Sequence, residues 1–264
     1  MSIFQDGLNL LRRKRFSQSH YKRGMILTNA WHGAPGSGEQ GCPLPSPENP
    51  LWQYFMARED GPGIWKWTHY FEAYHRHLAK FVGQPLTMVE VGIYSGGSLG
   101  MWKSYFGKQA RIHGVDIEPA CKCYADDQVS VHIGDQEDRS FWGDFRRKVS
   151  GVQVLIDDGG HSPGQQMVTL EEMLPAMSPG SVYICEDIHG INNKFVSFAM
   201  ALAAALNSQN TIPGGIPMAT TTAFQQSICS VHFYPYMLVI EKNTTAPSRL
   251  EAPKRGTEWQ PFLG

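Results

Sequence analysis

The chain has 264 residues, 42% of them hydrophobic, and its 23 basic side chains face 24 acidic ones for a formal net charge of −1. That balance argues against nucleic acid as a partner, because its binders carry a clustered basic excess, and the length suits one domain with an added segment. The longest apolar run, "FVSFAMALAAAL", falls short of the roughly 20 residues that cross a bilayer, so no membrane partner is expected.

The basic leader "GLNLLRRKRFSQSHYKRG" lacks the apolar core of a secretory signal and is compatible with a transit peptide. The five cysteines are odd in number and none is spaced as CxxC. A disulfide framework and a zinc knuckle are both disfavoured, and a reducing, cytoplasmic setting is expected. "NTT" at Asn243 matches a glycosylation acceptor, but no signal peptide supports it.

"WHGAPGSGEQGCPLPSPENP" is dense in Gly, Pro and Ser and reads as irregular. "HYFEAYHRHLAKFV" then sets Phe71, Tyr74, Leu78 and Phe81 at steps of three and four, one apolar face of a helix. Residues 1–84 are therefore expected to form a leader with lid or assembly helices, and residues 85–264 the main domain. In the aromatic stretch before that domain, Trp65, Trp67, His69 and Tyr70 are either packing groups or part of a lid.

From Thr87 the texture alternates. "TMVEVGI", "ARIHGVDIE", "VSVHIGD", "VQVLIDD" and "SVYICED" read as strands; "SLGMWKSYF", "RSFWGDFRRKV", "QQMVTLEEMLPAM" and "NKFVSFAMALAAAL" read as helices. This pattern predicts a Rossmann-like, doubly wound, mostly parallel α/β sheet. "SICSVHFY" and "YMLVIEK" have only Pro235 and its neighbours between them, too little for a crossover, so they should pair antiparallel. "GTEWQPFLG" at the end is apolar enough to dock on the domain or a neighbouring subunit.

Ligands of open α/β sheets bind beyond the carboxyl ends of the strands. Acids follow each of the first five: Glu90, Asp116, Asp135, the pair Asp157 and Asp158, and the pair Glu186 and Asp187. In "VEVGIYSGGSLGMW", Gly92, Gly96 and Gly97 allow a tight turn, and Ser98 is placed to cap the next helix. The spacing is not GxGxxG, so a dinucleotide is not signalled. An acid at Asp116 suits the two hydroxyls of a ribose.

"VEVGIYSGGSLGMW", "GVDIEP", "GDQEDRSF", "IDDGGH" and "ICEDIH", in this order, resemble a class I S-adenosylmethionine-dependent methyltransferase. They are most similar to the metal-dependent macrolide and rhamnosyl sugar O-methyltransferases and the related cephalosporin hydroxylase family. The resemblance runs from about Ile64 to the end of "YMLVIEK" and is specific in "DDGGH" and "ED". It implies a seven-stranded sheet with a reversed last strand. It also implies a cofactor side of Glu90 near the methionine amino group, Gly92, Ser98, Asp116 on the ribose, and Asp135 near the adenine. Asp157, as a strand-end acid, is read as a cofactor contact or a helix cap. A divalent metal would rest on Asp158, Glu186 and Asp187, with His161 as general base. Gly160 departs from the Ser or Thr that the family often has before this His.

Elementary chemistry agrees with that assignment. Three converging carboxylates repel unless a cation lies between them, and an all-oxygen set selects a hard ion, with Mg²⁺ the default by abundance. The expected function is O-methylation of a sugar, glycoside or similar vicinal diol on a small-molecule acceptor, with a homo-oligomer compatible with the extra N-terminal helices. A hydroxylase-like or catechol-type enzyme of the same fold, and a non-catalytic S-adenosylmethionine-binding protein, are the alternatives. Asp157 and His189 stand next in line as bases, while His189 and His132 also suit structural roles.

Overall fold

The computed structural model describes residues 18–28, 44–208, 218–253 and 255–257. The Gly/Pro-rich stretch up to Pro43, residues 209–217 and the end from 258 lie outside the described residues, and so do the expectations placed on them.

The chain falls into two compact units, residues 1–43 and 44–264. In the first, residues 18–28 form helix α1, whose side chains are almost all exposed. The second unit begins at Leu44 and not near residue 85 as the sequence suggested. The reason is packing: α2 (Pro50–Met56) and α3 (Tyr70–Leu78) bring Leu51, Phe71, Tyr74 and Leu78, each 0% exposed, into the same core as the sheet. The apolar face read from the spacing of three and four is that buried face. Its last member, Phe81, sits on a short 3₁₀ turn that closes the helix.

The elements that follow are β1 (Leu86–Val91), α4 (Gly97–Phe106), β2 (Ala110–Asp116), β3 (Val129–Ile133), α5 (Arg139–Lys148), β4 (Val154–Asp157) and α6 (Pro163–Met173). After them come β5 (Val182–Cys185), α7 (Lys194–Ala205), β6 (Met218–Thr220), α8 (Ala223–Ser227), β7 (Ile228–Tyr234), β8 (Met237–Lys242) and β9 (Arg249–Glu251). Seven strands form one sheet in the order β3-β2-β1-β4-β5-β8-β7, and β6 pairs β9 separately. The first five are parallel; β8, last of the sheet in the chain, runs antiparallel to both β5 and β7. This is the expected reversed last strand, made by a turn at Pro235 and Tyr236 in which Tyr236 takes a φ of 60°.

Alternation along the strands sorts the core into two layers. Met88, Ile112, Val154, Ile156, Val182 and Ile184 face α3 and α4, whereas Val89, Val91, Leu155, Tyr183 and Ile240 face α5, α6 and α7. The chain moves outward from β1 through β2 to β3, then returns to place β4 on the other side of β1. That reversal leaves a crevice between the carboxyl ends of β1 and β4, where ligands of such sheets bind. Among the described residues, no helix is long and apolar enough to cross a membrane.

Candidate active site

A cavity of about 940 Å³ opens at that crevice, within the range of small-molecule sites. One wall is the turn after β1, Gly92 to Ser95, with Asp116 and Asp135; beside it lie Asp158, His161, Glu186 and Asp187. Trp65, Lys66 and Trp67 come from the segment before α3 and line it as well.

On the first wall, Asp116 ties the turn to the end of β2. Its Oδ2 accepts the amides of Ile93 (2.8 Å) and Tyr94 (3.1 Å), and its Oδ1 accepts that of Glu118 (2.9 Å). Asp135 accepts the amide of Glu137 at 2.8 Å. Ser98 does not cap α4 as expected, because the N-cap is Gly96 at φ 75°. Its hydroxyl instead donates to Glu90 Oε2 at 2.9 Å, while the Trp102 indole donates to Oε1 at 2.9 Å.

Two of the expected cofactor acids lie behind the wall rather than on it. Glu90 is 0% exposed and burial pushes its carboxyl up to about 7 against the pull of Lys66. Asp157 is 1% exposed, accepts the Gln136 amide (3.0 Å) and the Tyr183 hydroxyl (3.3 Å), and is likewise pushed up to about 7 by burial. Neither lines the cavity. Both strands present alternate side chains to opposite faces, so acids adjacent in sequence end up in different surroundings.

The motif "DDGGH" folds into a turn that leads to α6. Gln136 Oε1 accepts the Gly160 amide at 2.7 Å, and Ser162 with Gln165 forms a capping box at the start of α6. A β-carbon on Gly160 would lie 2.2 Å from Gln165 Nε2, so the departure to glycine makes room for that cap. His161 follows at φ 57°, and Asp187, after β5, at φ 53°. Positive φ in residues other than glycine is costly and collects at functional sites.

These two residues and Asp158 converge. His161 Nε2 lies 3.9 Å from Asp158 Oδ1 and 3.8 Å from Asp187 Oδ2. His161 Nδ1 is buried and has no hydrogen-bond partner among the described residues. Asp187 Oδ1 accepts the Trp67 indole at 2.9 Å and lies 3.0 Å from the Tyr70 hydroxyl. One ligand atom from each of Asp158, His161 and Asp187 falls within 4.8 Å of the others, and two carboxylates beside an imidazole fit a divalent cation.

Glu186 lines the cavity beside them, and both of its oxygens are engaged. It is 1% exposed, accepts the Tyr74 hydroxyl at 2.5 Å on Oε1 and the Lys66 ammonium at 2.9 Å on Oε2. Lys66 also donates to Asp158 Oδ2. Burial works against its charge, but Asp158 and Glu186 outweigh burial and hold the ammonium protonated; burial raises Glu186 while Lys66 opposes the rise. Lys66 escaped the sequence reading because nothing in "WKW" marks a lysine as buried. His189 lines the cavity and packs on Tyr236, ring centres 4.8 Å apart, whereas His132 lies away from it, its Nε2 3.1 Å from His113 Nδ1.

No protein-family model matches the chain. Among curated proteins it is 26% identical over 211 residues to the 8-demethyl-8-alpha-L-rhamnosyl tetracenomycin-C 2'-O-methyltransferase of Streptomyces olivaceus, covering 72% of this chain and 54% of that one. It is 31% identical over 129 residues to the mycinamicin VI 2''-O-methyltransferase of Micromonospora griseorubida, covering 46% and 32%. The chain thus spans about half the length, or less, of these relatives. Of solved structures, the MycE methyltransferase of mycinamycin biosynthesis, in complex with Mg and SAH, superposes with a TM-score of 0.61 at 22% identity, over 77% of this chain and 56% of that one. The chain therefore has the class I methyltransferase fold and is a homologue of the macrolide and rhamnosyl sugar O-methyltransferases.

Proposed function

We propose that the chain is an S-adenosylmethionine-dependent, divalent-cation-dependent O-methyltransferase acting on a hydroxyl of a sugar, glycoside or similar vicinal diol. The observation that carries this reading is one cavity in which the glycine turn after β1 and Asp116 lie beside Asp158, His161 and Asp187. Relatives whose names place them on the sugars of tetracenomycin and mycinamicin support the substrate class, and a structural neighbour in complex with Mg and SAH supports the two cofactors.

When bound, the cofactor supplies a methyl group on a positive sulfonium, and a divalent cation supplies the Lewis acidity that eases loss of an acceptor proton. Gly92, Ser98 and Asp116 would seat the cofactor, with Asp135 toward the adenine and Glu90 and Asp157 bracing the wall from behind. Asp158 and Asp187 would hold the cation, backed by Glu186. Trp67 and Tyr70 fix the Asp187 carboxylate before any ligand arrives, so the rotamer is set in advance. His161 would take the acceptor proton at Nε2, the nitrogen that faces both acids. The acceptor is a small molecule, and the four free cysteines among the described residues suit a cytoplasmic setting.

The test is transfer of a labelled methyl group from S-adenosylmethionine to a panel of sugars, glycosides and catechols, with EDTA and with Mg²⁺ restored. Transfer to a glycoside that stops in EDTA and returns with Mg²⁺ is expected. Transfer undiminished by EDTA, or confined to catechols, would overturn the reading.

A further inference from the structure

Lys66 is an unusual neighbour for a cation site. Its side chain is 3% exposed, and its ammonium lies against Glu186 at 2.9 Å and against Asp158 Oδ2. A buried lysine needs such partners, because an unpaired charge in the interior is strongly destabilising. Its segment is also fastened on its own account. Next to Lys66, the Trp67 indole is bonded to Asp187, and His69 Nε2 lies 2.8 Å from the Pro235 carbonyl oxygen. On the other side, the Gly63 carbonyl oxygen sits so close to the start of α4 that a β-carbon on Gly97 would lie 2.3 Å from it. The lysine is held in place at both ends of its loop.

We propose that Lys66 is a resident cation of the active site, which takes Glu186 and one oxygen of Asp158 for itself and leaves Asp158 Oδ1 and Asp187 Oδ2 to a divalent ion. The inference rests on the metal-dependent reading above and alters its ligand set. Both oxygens of Glu186 already have donors, Tyr74 on Oε1 and Lys66 on Oε2. The two oxygens left over are those that face His161 Nε2 at 3.9 and 3.8 Å. Charge agrees: Asp158, Glu186 and Asp187, counted as ionised, are matched by one positive charge from Lys66 and two from the ion. Lys66 is in this sense a positioning residue. It acts on the ion through Asp158 and Glu186.

Calorimetric titration of the full chain with Mn²⁺ alone tests this, and it reads ion binding without turnover. Lys66→Met should tighten Mn²⁺ binding and Glu186→Gln weaken it, each by about tenfold, the lower end of the scale on which outer partners act. The decisive variant carries both changes. With the pair removed together the charge balance is restored, and affinity should return to within about threefold of the parent, the two sites being coupled. A double variant that binds as weakly as Glu186→Gln makes Glu186 a ligand in its own right and overturns the inference, leaving the metal-dependent reading intact. A parent that binds no Mn²⁺ overturns both. If the double variant does not fold, anomalous scattering from Mn²⁺ in crystals of the parent decides. An ion beside Asp158 and Asp187 with Lys66 still on Glu186 supports the proposal, and an ion on Glu186 with Lys66 swung out refutes it.

Discussion

Gly92 and Asp158 touch so closely that a β-carbon on Gly92 would lie 2.0 Å from the Asp158 carbonyl oxygen. The contact follows from the sheet: β1 and β4 are neighbours with Val91 beside Asp157, and the Asp158 amide donates to the Val91 carbonyl at 2.9 Å. The turn proposed for the cofactor and the first acid proposed for the cation are thus one packed unit. Gly92 also has a φ of 87°, which a side chain resists.

Gly92→Ala should therefore destabilise the protein as well as its site. Neither backbone can yield cheaply, and a cost of about 2–4 kcal/mol is expected, in the upper part of the range for single substitutions. For a unit of this size, that corresponds to a fall in Tm of roughly 5–15 °C. Thermal unfolding that matches the parent's would show that the two turns can part without strain.

Asp116 calls for a different expectation. Asp116→Ala removes the acceptor for three amides at once, those of Ile93, Tyr94 and Glu118, and any ribose contact with them. S-adenosylmethionine binding should weaken by about 1.5–3 kcal/mol, the scale of one hydrogen bond to a charged group. Calorimetry giving an unchanged affinity would take Asp116 out of the cofactor site. A preference for a nicotinamide or flavin nucleotide would count against the methyltransferase reading as a whole.

The sheet was legible because its signals are local. Buried strands read as apolar runs, and the short link at Pro235 left β7 and β8 no choice but to turn back. The ends of those strands were legible too, since polar residues that interrupt a buried run must have a use. What the sequence did not carry was direction. Asp157 and Asp158 are adjacent letters, yet one is 1% exposed inside the wall and the other lines the cavity. Glu186 and Asp187 both line the cavity, yet Glu186 is 1% exposed with its oxygens held by Tyr74 and Lys66, whereas Asp187, at φ 53°, is held by Trp67 and Tyr70. Lys66 could not be found at all, because its two partners lie 92 and 120 positions away and only the packed structure brings them together.

Away from the cavity, His113 and His132 give the protein a response to acid. Their ring nitrogens are 3.1 Å apart on neighbouring strands. Burial, then His132 and Arg111, pushes His113 down to about 4, and burial with Lys148 lowers His132. An unfolded histidine titrates near ~6.5, so between ~6.5 and ~4 the unfolded chain binds more protons, and stability rises with pH. The contribution is complete above ~6.5 and is lost as pH falls toward ~4; for partly exposed rings it should amount to about 1 kcal/mol from His113. Denaturant unfolding at pH 7 and pH 4.5 measures it. His113→Gln should flatten the difference, and a variant with the parent's full acid sensitivity would place that sensitivity elsewhere.

The role of His161 can be isolated because so little else depends on it. Its Nε2 is beyond hydrogen-bond reach of Asp158 and Asp187, at 3.9 and 3.8 Å, and its Nδ1 has no partner among the described residues. His161→Ala keeps the β-carbon and removes no bond that holds the carboxylates. Cofactor binding should stay near the parent's, while turnover falls by about 10²–10⁴-fold, the usual contribution of a general base. Added imidazole should restore part of the lost rate if the defect is proton removal, which a purely structural defect would not allow. Asp157 is a poor substitute as base, since it does not line the cavity. His189 does line it, so a His161→Ala variant with the parent's turnover would pass the assignment to His189, and His189→Ala would then be the variant that loses the rate.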